Sequence, residues 1–173
     1  MMEIHHCTGL IEARSIILAG EIWANDHEPG SAVHAGPFFF VKDHEANEAA
    51  TNPLHREMKL IFECGLPVIE VLRDLKHSAN LLSGSVSHLS GKLIVERNPY
   101  RAEQIMQARI KPPCSAALKL IEYEASVSMS GSERELFDEA KRTQRTISIA
   151  SWPRQGGEFT SDRPCLVPGP RPG

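Results

Sequence analysis

Proline placement sets the limits of regular structure in this chain. Five of the twelve prolines fall in the last 23 residues, with four of the twelve glycines. Pro164, Pro168, Pro170 and Pro172 lack the N–H that a helix interior or a central strand requires. Residues 151–173 are therefore expected to form a disordered tail, which leaves a folded body over residues 1–150. A body of that size fits one domain. It buries about 70% of its unfolded surface, so neither a metal nor a disulfide is needed to hold it.

Composition narrows the class. With 41% hydrophobic and 24% charged residues the chain reads as globular, and a net charge of −3 speaks against a nucleic-acid coat or a polybasic membrane binder. No apolar run approaches the roughly 18–20 residues of a membrane helix. The opening, Met1 to His6, lacks the basic-then-apolar order of a signal peptide. The expected setting is the cytoplasm, away from membranes. Cys7, Cys64, Cys114 and Cys165 lie far apart and form no CxxC pair, so reduced thiols are expected.

Along the body, Met2–Cys7 reads as extended. Thr8 is placed to cap a helix over 9–19, and Gly20 to end it. Short strands are expected at Glu21–Ala24 and Pro37–Val41. Asn52-Pro53 marks a helix start, with Leu54, Met58, Ile61 and Phe62 at helical spacing and Gly65 as the stop. The stripe Val68, Val71, Leu72, Leu75, Ala79 and Leu82 predicts a helix over 67–82. Ser83–Gly91 is a Ser/Gly loop and Lys92–Glu96 a strand. Asn98-Pro99 opens another expected helix, with Ala102, Ile105, Met106 and Arg109 on one side. A long strand over Ala117–Met129, a helix over Ser132–Thr143 and a strand over Thr146–Ala150 complete the body. Helices and strands interleave without a repeating βαβ unit, so the fold class is α+β, in a single mixed domain.

The residues with most chemistry lie at the start. His5-His6-Cys7-Thr8 ends the first extended segment. Ile17-Leu18-Ala19-Gly20-Glu21-Ile22 ends the first helix, and Gly36-Pro37-Phe38-Phe39-Phe40 follows a polar loop. This series resembles the opening of ADP-ribosyltransferase-like domains of the His–Tyr–Glu branch, over residues 4–41. The resemblance implies that His6 is the family histidine and Thr8 its threonine, with Phe38 at the tyrosine. His6 would then hold the nicotinamide ribose of NAD, the substrate, and Phe38 would stack on the nicotinamide. Phe in place of Tyr loses the hydroxyl.

The same resemblance implies a late acid that stabilises an oxocarbenium-like transition state as nicotinamide leaves. Ser132-Glu133-Arg134-Glu135-Leu136-Phe137 is similar to the family's acid step. It makes Glu135 the catalytic acid and Glu133 its accessory, with transfer to a protein or nucleic-acid acceptor. In the family this acid begins a strand. Ser132-x-x-Glu135 is equally a capping box at a helix start.

Other patterns compete. His5, His6 and Cys7 offer metal-ligand types, but alternation puts His5 and Cys7 on one face of a strand and His6 on the other. No metal is therefore expected. His55-Arg56-Glu57 with Pro113-Cys114 imitates a zinc deaminase signature, yet Ala117 stands where its second cysteine belongs. Lys92–Lys111 carries five basic and two acidic residues beside Tyr100, which suits either phosphate contact or a solvated helix face. The alternative to an NAD-binding domain is a non-enzymatic protein-interaction domain, its interface being the apolar stripe of the 67–82 helix. A His/Cys metal-binding protein comes third.

Overall fold

The computed structural model describes residues 1–24, 38–41, 57–72, 91–98, 100–110 and 112–151. Among them are nine strands: β1 (Met2–Thr8), β2 (Glu21–Ala24), β3 (Phe38–Val41), β4 (Met58–Cys64), β5 (Val68–Leu72), β6 (Leu93–Asn98), β7 (Arg101–Ile110), β8 (Cys114–Ala125) and β9 (Thr146–Ser151). Two helices join them, α1 (Leu10–Ala19) and α2 (Gly131–Arg142). The strands form one mixed sheet in the order β2-β9-β8-β4-β1-β3-β7-β6-β5. The pairs β2/β9 and β5/β6 are parallel and the others antiparallel. The fold is α+β in a single mixed sheet, as its interleaved elements imply.

Register assigns each side chain to a face. Ile4 stands opposite Phe62 and Val41, His6 opposite Leu60, and Thr8 opposite Met58. Phe39 stands opposite Ala108, and Val95 opposite Ala108 on the far side. Directly paired residues share a face, so these positions build one continuous apolar surface. Ala13, Ile16 and Ile17 of α1 and Phe137 and Ala140 of α2 complete its core. The ring of Phe137 lies 5.2 Å from that of Tyr123 on β8. Both helices therefore cover the same side of the sheet. The remaining positions of β1, Glu3, His5 and Cys7, face the other way.

The helix ends obey local chemistry. Gly20 adopts φ 70° and its N–H bonds the Ile16 carbonyl at 2.8 Å, closing α1 where a left-handed residue is needed. Thr8, the expected cap of α1, lies inside β1, and the N-cap is Gly9, which has no side chain to offer. Instead Leu10 donates its N–H to Glu57 Oε2 at 2.8 Å, from 47 residues away. Ser126 donates its N–H to the Glu57 carbonyl at 2.9 Å, so one residue ties α1 to both β4 and the end of β8.

Three expected helices are strands. Met58–Cys64 is β4, because Met58, Leu60, Phe62 and Cys64 alternate onto the core face. Val68–Leu72 is β5, and residues 73–82 of that stripe lie outside the described residues. Arg101–Ile110 is β7, pairing with β6 as a hairpin. The long strand starts earlier than expected, at Cys114, and ends at Ala125. Residues 152–173, most of the expected tail, lie outside the described residues, as do Asn25–Gly36, His55 and the Ser/Gly loop up to Ser90.

Candidate functional site

Strand β1 holds the densest set of chemically able side chains. It is the fifth of nine strands in the sheet, and it leads directly into α1. His6 and Thr8 lie on its helix-covered face. Thr8 is buried, whereas His6 keeps partial exposure. The residue whose ring lies against His6 is Phe39, at 5.5 Å between centroids and tilted by 52°. Phe39 is fully buried, so it supports the imidazole rather than offering an open stacking surface. Phe38, expected in the stacking role, pairs in register with Arg109 at the start of β3.

The expected acids are not on a strand. The segment forms helix α2, in conflict with the strand start that the resemblance implies. The capping box is there, two residues earlier than expected. Ser130 Oγ accepts the Glu133 N–H at 3.2 Å, and the Ser130 N–H donates to Glu133 Oε2 at 2.8 Å. Those bonds, with a smaller contribution from Arg14, hold the Glu133 carboxyl below its ordinary range. Glu133 is thus committed to starting α2. Glu135 is exposed on the same helix. The structure unites His6 and Thr8 on one strand and places Glu133 and Glu135 together on another element, against β8 and α1 rather than on β1.

The opposite face of β1 is polar and partly closed. His5 is buried, and its Nε2 lies 3.2 Å from Glu3 Oε1. Cys7 follows on the same side, half-buried and reduced. Directly across on β4, Lys59 stands opposite Cys7 and Ile61 opposite His5. Further along that face, Arg109 on β7 and Glu96 on β6 are both almost fully buried, with Nε and Oε1 3.4 Å apart. The sequence places Arg109 on one side of an expected helix with Ala102, Ile105 and Met106, and it lies on a strand instead. Its position between the apolar Ala108 and Ile110 of a strand was the signal available. The other cysteines differ from Cys7. Cys64 and Cys114 belong to the apolar core, and burial pushes both thiols up.

No three His, Cys, Asp or Glu side chains converge on a metal-sized space among the described residues. The split of His5 and Cys7 from His6 across the sheet follows the expected alternation. Arg97, one of the basic residues near Tyr100, is held by both carboxylate oxygens of Glu70 at 2.8 and 3.0 Å. Comparison with protein-family models, curated proteins and solved structures finds no match to the chain.

Proposed function

We propose that the chain is a nicotinamide-dinucleotide-binding domain of ADP-ribosyltransferase-like type, with His6 and Thr8 as its ribose-contacting residues. One observation carries the reading. On a face where Ile4, Phe39, Leu60 and Phe62 are fully buried, the polar ring of His6 stays accessible. It does so two residues from Thr8, at the point where β1 turns into α1, and β2 follows that helix at once. That strand–helix–strand order is the one the sequence resemblance implies. A half-buried imidazole can donate to or accept from a ribose hydroxyl, and Phe39 fixes its plane.

Binding does not require an acid, whereas transfer does. A carboxylate must stabilise the positive charge as nicotinamide departs. Glu133 is engaged by Ser130, which leaves Glu135 as the acid the reading would assign. The test separates the two. NAD at a hundredfold excess over Kd adds about 2.7 kcal/mol to the folded state. The melting temperature should therefore rise by roughly 5–10 °C. His6→Ala should remove that shift, and Glu135→Gln should retain it while abolishing any labelling of a protein or nucleic-acid acceptor. No shift at millimolar NAD overturns the reading.

A protein-contact role has one observation in its favour. Ile11 and Leu18, seven residues apart on α1, are 79% and 58% exposed. Sedimentation of the intact chain beside an Ile11→Lys variant reports whether they meet a second copy.

A further inference from the structure

We propose that β5 is a docking edge for a second copy of this chain, pairing antiparallel with the same strand of that copy about a two-fold axis at Ile69. The edge lies four strands from β1 in the sheet, and the pairing does not depend on NAD binding.

Backbone geometry carries it. β5 ends the sheet, and among the described residues β6 is the one strand paired with it. That pairing is parallel, with Val68 opposite Leu93, Ile69 opposite Ile94 and Glu70 opposite Val95. The Leu93 N–H donates to the Pro67 carbonyl at 2.9 Å. In a parallel ladder the N–H and C=O of one residue point to the same neighbour, and those of the next residue point away. Pro67 and Ile69 therefore address β6, while Val68 and Glu70 turn their backbone groups outward. Val68 is 42% exposed and Glu70 is exposed beside it, so this edge is open to another strand.

Charge, proline and bulges are the usual guards of such an edge. None of them acts on the outer side of β5. Glu70 is charged, but both its oxygens are taken by Arg97. Pro67 lacks an N–H, but its backbone faces β6, so the outer row loses no donor. The β5–β6 register runs from Val68 to Leu72 without a shift, whereas β6–β7 shifts on either side of Arg97. A regular, open edge of this kind recruits extended backbone.

The edge is complementary to itself. With the axis at Ile69, Val68 exchanges both backbone bonds with Glu70 of the second copy, and Glu70 with Val68 of that copy. Faces match as well. Leu93 and Val95 put Val68 and Glu70 on the helix-covered face, and Ile94 puts Ile69 on the other. Ile69 then meets its own counterpart at the position between the two bonded pairs. An axis at Glu70 would set two carboxylates directly opposite, which is destabilising. A two-fold pairing closes on itself and stops at two copies. So short an edge buries less than the about 1,600 Å² of a standard interface, so the dimer is weak and forms at high protein concentration.

Sedimentation velocity of the full chain over a concentration series tests this and should show a monomer–dimer equilibrium. Val68→Pro removes an outward N–H and spares the β5–β6 ladder. It should weaken association roughly tenfold, since each dimer loses two backbone bonds, and leave the melting temperature unchanged. Ile69→Cys should crosslink into a dimer under mild oxidation faster than the parent chain. Directly opposed positions of that type lie about 4.5 Å apart at Cα, within disulfide range. Glu70→Cys should crosslink more slowly than Ile69→Cys. If Val68→Pro unfolds the chain, the two cysteine variants still decide. A chain that stays monomeric at every concentration overturns the proposal, even if a peptide of another sequence binds the edge. So does a dimer that survives Val68→Pro but is lost in Ile11→Lys, which would move the interface to α1.

Discussion

On its helix-covered face, β1 sets Ile4 and Thr8 among Phe39, Leu60 and Phe62, closed over by α1 and α2. On the other face it sets Glu3, His5 and Cys7, with Lys59 alongside and the Glu96–Arg109 pair two and three strands away. The first face gains stability from every apolar atom removed from water, about 25 cal/mol per Å². The second buries Ile61 and Ile94 too, but beside them His5, Glu96 and Arg109. Burying charged groups costs several kcal/mol per ion, and pairing offsets it only when geometry is good. One face of the sheet is therefore mostly apolar, and the other mixes apolar burial with polar and charged groups whose burial the fold tolerates.

Substitution should separate the faces, most strongly at their centres. Phe62→Ala should lower the unfolding free energy by about 3–5 kcal/mol through lost burial and a cavity. Glu96→Ala should cost a similar amount, about 3–5 kcal/mol, because it removes a carboxylate partner from a buried guanidinium. The distinction appears in the double variant. Glu96→Leu with Arg109→Met should recover most of the loss, since well-packed apolar replacements of a buried pair are near neutral or stabilising. Urea unfolding with an unchanged slope measures all three. A double variant as unstable as Glu96→Ala would erase the contrast.

A smaller effect belongs to the junction between β1 and its covering helix. Glu57→Ala removes the only side-chain bond described at the N-terminus of α1, and should cost about 1 kcal/mol. Gly9→Ser should restore much of it with a local cap. Gly9 has φ −74°, which serine accepts, and a Cβ there meets the movable end of Glu12 and, at an ordinary 3.5 Å, Glu57 Oε2. Thermal melts and amide exchange at Leu10 report both. An unchanged melt would show that Ile16 and Ile17 alone hold α1 down.

The smallest effect is on pH, in the helix layer. The Glu133 carboxyl is lowered in the folded chain, so the folded state prefers it ionised. That stabilisation is present above the ordinary glutamate value of about 4.3 and is lost as pH falls through the lowered folded value. Glu133→Gln should flatten this part of the acid limb while leaving the neutral region little changed. A limb identical to that of the parent chain would assign the acid sensitivity elsewhere.

Local signals were legible where one face of an element is wet. The helix expected over 9–19 is Leu10–Ala19, Glu21–Ala24 is β2 without change, and the 132–143 helix is Gly131–Arg142. The failures share a cause. In β4, Ile61 is buried on the second face while Met58, Leu60 and Phe62 are buried on the first. The resulting spacing of 58, 61 and 62 imitates a helix, because burial on both faces hides alternation. In β7, Ile105 and Arg109 fell on one apparent helix side, and a periodicity argument does not expect an arginine to be buried. For the candidate site, the split of His5 and Cys7 from His6 was readable from alternation alone. The Lys59 neighbour of Cys7 was not, because it depends on a pairing between strands fifty residues apart in sequence.

The order of the strands also governs how the chain can assemble. β2 lies at one edge of the described sheet and pairs with β9, so residues 21–24 meet residues 148–151. During synthesis β2 must wait for β9, because among the described residues no earlier strand pairs with it. Closing a loop of that length before any ladder bond forms makes the pairing slow. Through that interval the early segments present strand edges and apolar side chains to their surroundings. Trp23, on β2, therefore sits where fluorescence can follow the last step of folding rather than the first.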